Sequence, residues 1–464
     1  FGIAAGGGAG MALAEWIANG EPLYDLWSAD IRRFGRPHTD TGWFRTRTLE
    51  AYGKHYTRAW PSEEHESGRP CRCSPLYKTL KDAGAVFGEK LGWERPNWYA
   101  AEDEEARDIY SFERTNWHVP VGREHKAARE AAALFDQTSF AKYILTGRDA
   151  EDALQWIASN RVDKPVGSII YTQMLNDRGG IECDLTCVRT KEDEYYIVTG
   201  TGYATRDFNW IMRNIPKDMY AHLVDVTSSN AVLSLFGPKS REILQVLTND
   251  NVSNKAQPFG RAHCICIAGC PVLAMRVTYV GELGWELHLP VEYAQTVYDA
   301  LHAVGNKHGL LNAGYRAIET LRLEKGYRAW SSDIGPDHTP DEAGLGWAVK
   351  MKSKIPFKGR EAVAKQRDEG IKKVMATFTT DAHVVLSGRE TIYRNGERCG
   401  WLSSAGFGYS IGKSIGMGYV RSPTTIDKQY VMTGTYELEV ATVRVPATVS
   451  LTPIFDPKME KVKA

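Results

Sequence analysis

Cysteine is scarce in this chain, with eight in 464 residues: Cys71, Cys73, Cys183, Cys187, Cys264, Cys266, Cys270 and Cys399. That density excludes a disulfide scaffold and leads us to expect free thiols in a reducing, intracellular setting. His263, Cys264, Cys266 and Cys270 cluster, but residues 264–267 alternate like a strand and no second ligand pair follows at zinc spacing, so no metal site is expected. An excess of one charge is missing too. Lys plus Arg and Asp plus Glu each number 57. No global field then favours nucleic acid or an anionic membrane, and an anionic ligand must be held by local groups. No apolar run approaches the roughly 20 residues of a membrane span. Residues 1–19 come nearest, yet they are glycine-rich, contain Glu15 and lack the basic start of a secretory signal.

What is present is the balance of a globular protein, 43% hydrophobic and 25% charged, at a length that implies two to four structural units. The first residue is Phe inside what reads as a loop-to-helix unit, so an upstream portion is expected. Residues 3–20, IAAGGGAGMALAEWIANG, read as a glycine loop feeding an amphipathic helix that stops at Asn19-Gly20. A helix N-terminus of that kind suits an electron-rich ligand group. Residues 36–105 are rich in aromatics, Arg and Pro, which argues for an irregular segment wrapped over a neighbour.

From about 108 the pattern predicts an irregular alternation of helices and strands: helix 123–135, strand 142–146, helix 149–160, strands 169–175 and 195–199, helix 205–214. This is the signature of an α+β domain rather than a doubly wound parallel sheet. Beyond 372 the pattern is almost purely β. Asn395-Gly396 gives a hairpin signal, and residues 437–450 read as two strands broken at Pro446, so a small β-barrel or sandwich closes the chain.

Three stretches carry chemistry. In YTQMLNDRGGIECDLT, residues 171–186, a strand turns at Asn176–Gly180 and a second strand leaves with Glu182 and Asp184 two residues apart on one face. An acid beside a glycine turn can face a cleft and relay a proton, against the plain alternative of a solvent-facing hairpin. In YVGELGWELHL, residues 279–289, Gly281 and Gly284 force a turn while Trp285, Leu287 and Leu289 alternate against Glu286 and His288. A carboxylate at Glu286 can accept two N–H bonds from a planar amino-pyrimidine, or pair with a surface lysine to little effect. In GYRAIETLRLEKG, residues 314–326, a helix carries Arg316, Glu319, Arg322 and Lys325. One arginine reaching a ligand carboxylate would be the functional exception to a solvated face.

These three segments, in this order, resemble the folate-binding fold of the glycine-cleavage aminomethyltransferase. More closely, they resemble its relatives fused to sarcosine and dimethylglycine dehydrogenases. ALFDQTSFAK at 133–142, LFGP at 235–238 and TPDEAG at 339–344 support the resemblance, as do GGGAG at 6–10, LAEW at 13–16, SPLY at 74–77 and GWERPN at 92–97. It covers nearly the whole chain.

The resemblance implies four parts: residues 1–35 as the end of an FAD-binding oxidoreductase domain, 36–107 as a connector, 108–371 as the folate-binding domain and 372–464 as a carboxy-terminal barrel. It also implies oxidative demethylation of sarcosine or dimethylglycine, with the one-carbon unit passing to tetrahydrofolate as 5,10-methylenetetrahydrofolate. Electrons would leave through FAD to a further acceptor, in a mitochondrial matrix or a bacterial cytoplasm. By motif, Asp184 matches the catalytic acid, Tyr279, Glu286, Arg322 and Asn176 the folate site, and Gly6, Gly7, Gly8 and Gly10 part of the flavin site. Cys183 stands where the aminomethyltransferase usually has a further aspartate, which favours the dehydrogenase branch. The alternatives are a flavin-free folate-dependent aminomethyltransferase and a catalytically silent regulatory relative.

Overall fold

In the computed structural model, which describes residues 2–464, the alternating stretches between 130 and 350 form two sheets. The first runs Ala262–Ile267, Cys270–Met275, Gly284–Pro290, Asn230–Phe236, Ala132–Asp136, Leu310–Asn312, antiparallel except for its last pair. The second runs Ile169–Leu175, Ile181–Lys191, Glu194–Thr199, Ala141–Thr146, His222–Asp225, antiparallel throughout.

Strand periodicity divides the two faces of each sheet. Trp285, Leu287 and Leu289 pack on one side against Leu244 and Leu301 of the helices Ser240–Leu247 and Ala294–Gly305. Cys183, Leu185 and Cys187 likewise pack against Leu154 of the helix Ala150–Ile157. The intervening residues therefore look the other way, and there the sheets meet through Val188, Tyr196 and Val198 of one and Ala262 and Met275 of the other. Asp184 and Glu286 belong to these inward faces.

The carboxy-terminal strands close into a six-stranded barrel, Lys373–Thr380, Lys413–Arg421, Glu397–Gly408, Thr391–Arg394, Tyr436–Val440, Val443–Ser450. Asn395 and Gly396 have φ of 53° and 83°, the left-handed pair that a two-residue hairpin turn requires.

Four sequence expectations are corrected. The helix expected at 123–135 is His118–Glu130, and residues 132–136 are a strand with every residue buried. A strand covered on both faces loses its alternation and cannot be told from a helix by period. Pro446 does not break a strand but lies inside Val443–Ser450, opposite Glu437. The chain reverses at Ala441-Thr442, where φ is 47° and 72°. No glycine loop precedes the first helix: Gly2–Asn19 is helical throughout and buries no residue. Nor is residues 36–105 irregular throughout. Thr41–His55 is a helix capped by the Asp40 carboxylate, and Ala85–Lys90 pairs with Trp93–Tyr99 as a hairpin. That hairpin packs Val86 and Trp98 against Phe135, Phe236 and Leu321.

Among the described residues no helix is long and apolar enough to cross a membrane, and no group of three or more potential ligands is placed to hold a metal.

Candidate functional site

The turn at 176–180 aims the first acid. Asn176 Oδ1 accepts from the N–H groups of Arg178 and Gly180, and its amide donates to Glu182 at 2.9 Å and to the Pro336 carbonyl at 3.3 Å. Asn176 is thus committed to building the turn rather than to a ligand. The two acids that follow part company. Glu182 is paired with the Arg206 guanidinium. Asp184 instead accepts a 2.5 Å hydrogen bond from the Tyr171 hydroxyl and a longer one, 3.4 Å, from Gln173 Nε2. Burial pushes the Asp184 carboxyl up to about 6, and the Tyr171 and Gln173 bonds moderate the rise. The hairpin is therefore recessed, not solvent-facing.

Gln173, which sequence reasoning missed, stands opposite Asp184 in the register, and its Oε1 is buried without a partner. The hairpin's period-2 alternation was a signal that could have found it. Asp207 was also missed. It is buried, accepts from Thr199 at 2.6 Å, is pushed up to about 6 by burial, and helps raise Asp184.

Glu286 occupies the centre of the six-stranded sheet, flanked by Met275 and Ser234. It is 8% exposed, yet its carboxylate accepts no hydrogen bond among the described residues. The nearest nitrogen capable of charge is His288 Nε2 at 3.6 Å. Burial pulls the His288 imidazole down, so it is neutral near pH 7, and its Nδ1 lies 3.1 Å from the Tyr196 hydroxyl. His288 Nε2 is itself buried without a partner. Tyr196 comes from the opposing sheet, so Glu286 and His288 face the layer that also carries Asp184.

Tyr279 donates to the Arg328 carbonyl at 2.8 Å and stacks on Tyr327, with centroids 5.8 Å apart. Arg322, 2% exposed, does not reach out as expected. Its five N–H groups go to Glu319, to Asp333, to the Tyr327 carbonyl and to Ser404. A guanidinium in that position must be neutralised where it is buried, which leaves no donor for a ligand. Two other cations are uncommitted. Arg95 lies over the Tyr315 ring at 4.0 Å, with Nε buried and unpartnered, and neither it nor Lys90 makes an ion pair among the described residues. Lys90 keeps solvent contact, although burial and then Arg95 pull its ammonium down.

Gly6, Gly7, Gly8 and Gly10 lie within the first helix, where N–H groups are bonded along the helix, so they form no phosphate-cradling loop. Space is open for 4 Å around each missing Cβ.

Comparison with known proteins gives three family matches along the chain. They are the FAD dependent oxidoreductase central domain at 19–74, the GCVT N-terminal domain at 76–353 and the glycine cleavage T-protein C-terminal barrel domain at 373–456. The mitochondrial sarcosine dehydrogenase of Mus musculus is 39% identical over all of this chain and 55% of its own length. The mitochondrial dimethylglycine dehydrogenase of the same organism is 35% identical over 98% of this chain and 52% of its own. In fold, the chain resembles the crystal structure of the glycine cleavage system aminomethyltransferase T from Bartonella henselae, with a TM-score of 0.71 at 24% identity over 83% of this chain and 98% of that one. The chain thus spans about half the length of the curated relatives it matches.

Proposed function

The chain belongs to the glycine-cleavage T-protein domain family, in the branch that joins this domain to an FAD-dependent oxidoreductase, and on that premise we propose that it carries the folate half of an N-methylglycine dehydrogenase. The substrate is sarcosine or dimethylglycine. The acceptor of the one-carbon unit is tetrahydrofolate, and the product is 5,10-methylenetetrahydrofolate.

The observation that carries this reading is a set of recessed polar groups without hydrogen-bond partners among the described residues: the Glu286 carboxylate, Gln173 Oε1 and His288 Nε2, the last a donor or an acceptor according to its tautomer. Leaving Gln173 Oε1 and His288 Nε2 buried and unmet costs roughly 1–3 kcal/mol each. A flat ring system edged with N–H groups, such as the amino-pyrimidinone of a reduced pterin, meets that need. Tyr171 and Tyr279 supply aromatic walls. Arg95 and Lys90 supply charge for the carboxylates of the ligand's glutamyl end, the task first expected of Arg322. Arg322 in turn holds the helix that carries it against Asp333 and the barrel.

FAD, approached by the first helix at Gly6, Gly7, Gly8 and Gly10, would supply the two-electron oxidation of the N-methylamine, with a further acceptor reoxidising it. This chain's own residues serve the later transfer to folate. Ring closure on the folate releases a proton from an attacking amine. Asp184, raised to about 6, is ionised at neutral pH yet basic enough to take that proton. Contact between the first helix and the flavin remains part of the proposal, with the open face at Gly6, Gly7, Gly8 and Gly10 permitting close approach.

The test is Asp184→Asn in the full-length enzyme, measuring formaldehyde and methylenetetrahydrofolate side by side. Amine oxidation by an artificial acceptor should be nearly unchanged. Methylenetetrahydrofolate should fall roughly 10²–10⁴-fold, the size typical of a lost general base, with free formaldehyde rising in its place. An unchanged product ratio removes Asp184 from the mechanism.

A further inference from the structure

Away from Asp184 and Glu286 lies a cavity of about 380 Å³ lined by Arg72, Cys73, Ser74, Trp93, Thr138 and Thr227, together with Ser228 and the apolar Pro75 and Val291. It sits where the segment before the first hairpin crosses the ends of both sheets. The Arg72 guanidinium lies over the Trp93 ring, its Cζ 4.2 Å from the centroid, and makes no side-chain hydrogen bond or ion pair among the described residues. The cation–π contact holds the group against the ring and leaves its N–H groups without a protein partner among the described residues.

The hydroxyls around it are donors by elimination. Thr138 Oγ1 accepts from the Val232 N–H and Thr227 Oγ1 from the Lys142 N–H, so each hydroxyl proton is left without a backbone acceptor. Ser228 has no hydrogen-bond partner among the described residues. Ser74 is already committed to Asp136. The Lys142 ammonium, bonded to the Thr138 carbonyl, adds positive charge behind the wall. Asp225 is the opposing acid. It is close enough to influence Arg72 but outside ion-pair distance, and its carboxylate accepts from the Thr227 N–H.

We propose that this cavity is a second ligand site, which takes the oxyanion of a small metabolite, a phosphate or a carboxylate, on Arg72, Thr138, Thr227 and Ser228. A fork of guanidinium N–H groups beside hydroxyl donors is the chemistry that both oxyanions share. The site is independent of the folate reading and could exist without it.

Cys73 lines the cavity and reports on it. In the whole chain, alkylation of Cys73 by neutral iodoacetamide would be followed by peptide mass spectrometry while inorganic phosphate, or separately succinate, is raised at ionic strength held constant with chloride. Cys264 and Cys266, exposed on a distant strand, serve as internal controls. The expected result is a saturable, several-fold slowing at Cys73 alone. Whichever anion acts at the lower concentration names the source. Arg72→Met should weaken the protecting anion roughly ten- to hundredfold, the effect of a lost charge-assisted pair. Thr227→Val should weaken it less, and Asp225→Asn should strengthen it. Should Arg72→Met fold poorly, Thr227→Val and Asp225→Asn still decide. Protection that is absent, equal at the control cysteines, or unmoved in these variants overturns the proposal.

Discussion

Asp184 carries two opposed influences, burial that disfavours its charge and the Tyr171 bond that favours it, and burial is the larger. Its folded value, about 6, lies above the 3.8 of an unconstrained aspartate. The sign comes from linkage. A raised carboxyl leaves stability fully present below the unfolded value and removes it as pH rises through the folded one. At neutral pH holding this charge therefore destabilises the protein by up to roughly 3 kcal/mol at 1.36 kcal/mol per unit, with the Tyr171 bond already included in the folded value. Asp184→Asn should be more stable than the wild type near pH 7.5 and should lose that advantage near pH 4, as read from urea melts at both values. Equal stability at the higher pH would mean that Asp184 is not desolvated as described. Activity and stability then oppose each other at one residue, a common mark of functional groups. Asp184 and Glu286 were legible as single letters because each follows a glycine turn on an alternating strand. Gln173 could be placed on the same face by the hairpin's alternation, but its unmet oxygen could not, and Asp207 was not legible at all, since an amide or acid declares itself only through what it fails, or manages, to touch.

At the level of elements, the turn 176–180 depends on one close approach. A Cβ on Gly180 would run into the Pro336 carbonyl and crowd the Asn176 amide, which binds that same carbonyl. Gly180→Ala must lift the turn from Pro336 and shift the strand that presents Asp184. Calorimetric titration with tetrahydrofolate should show binding lost or severely weakened, while the barrel stays folded. Gly396→Ala is the control. Gly396, unlike Gly180, has a left-handed φ, 83°, but open space around it. That substitution should cost about 1–2 kcal/mol of backbone strain and leave folate binding as it was. If both variants bind alike, the contact with Pro336 does not position the site. The Asn395-Gly396 hairpin was readable because its residue types are nearly obligatory. The helix-or-strand choice at 132–136 was not, because burial on both faces erases the period.

For the molecule as a whole, the barrel is held to the sheet domain by a buried polar node. Asp333, fully buried, accepts from Arg322 at 2.7 Å, Ser403 at 2.5 Å, Ser404 at 2.7 Å and the Ala329 N–H at 2.9 Å. Tyr419 of the barrel donates to the Asp333 carbonyl at 2.9 Å. Removing Asp333 leaves the buried Arg322 only the half-exposed Glu319 as counter-charge, at a cost approaching the roughly 3–5 kcal/mol of a broken buried ion pair. Asp333→Ala should therefore lower the melting temperature by several degrees. It should also open the joint between the helix Arg360–Glu369 and the barrel strand Lys373–Thr380 to limited proteolysis. A variant that melts and resists protease like the wild type would show that the barrel docks by apolar contact alone.

The sequence by itself determined the α+β class and the β-rich end, and it singled out the two acids to which the proposed site is assigned. All of these rest on local rules, namely period, turn chemistry and composition, which a linear string records directly. Which cations already have a partner was decided only by tertiary structure. Arg322, Arg95, Lys90 and Arg72 look alike in the string, but Asp333 and Glu319 close around the first, and the others make no ion pair among the described residues. The same holds for Asn176, absorbed into its own turn, and for the glycines of the first helix. Whether a polar group is free or already satisfied depends on partners far away along the chain, and no local pattern encodes that.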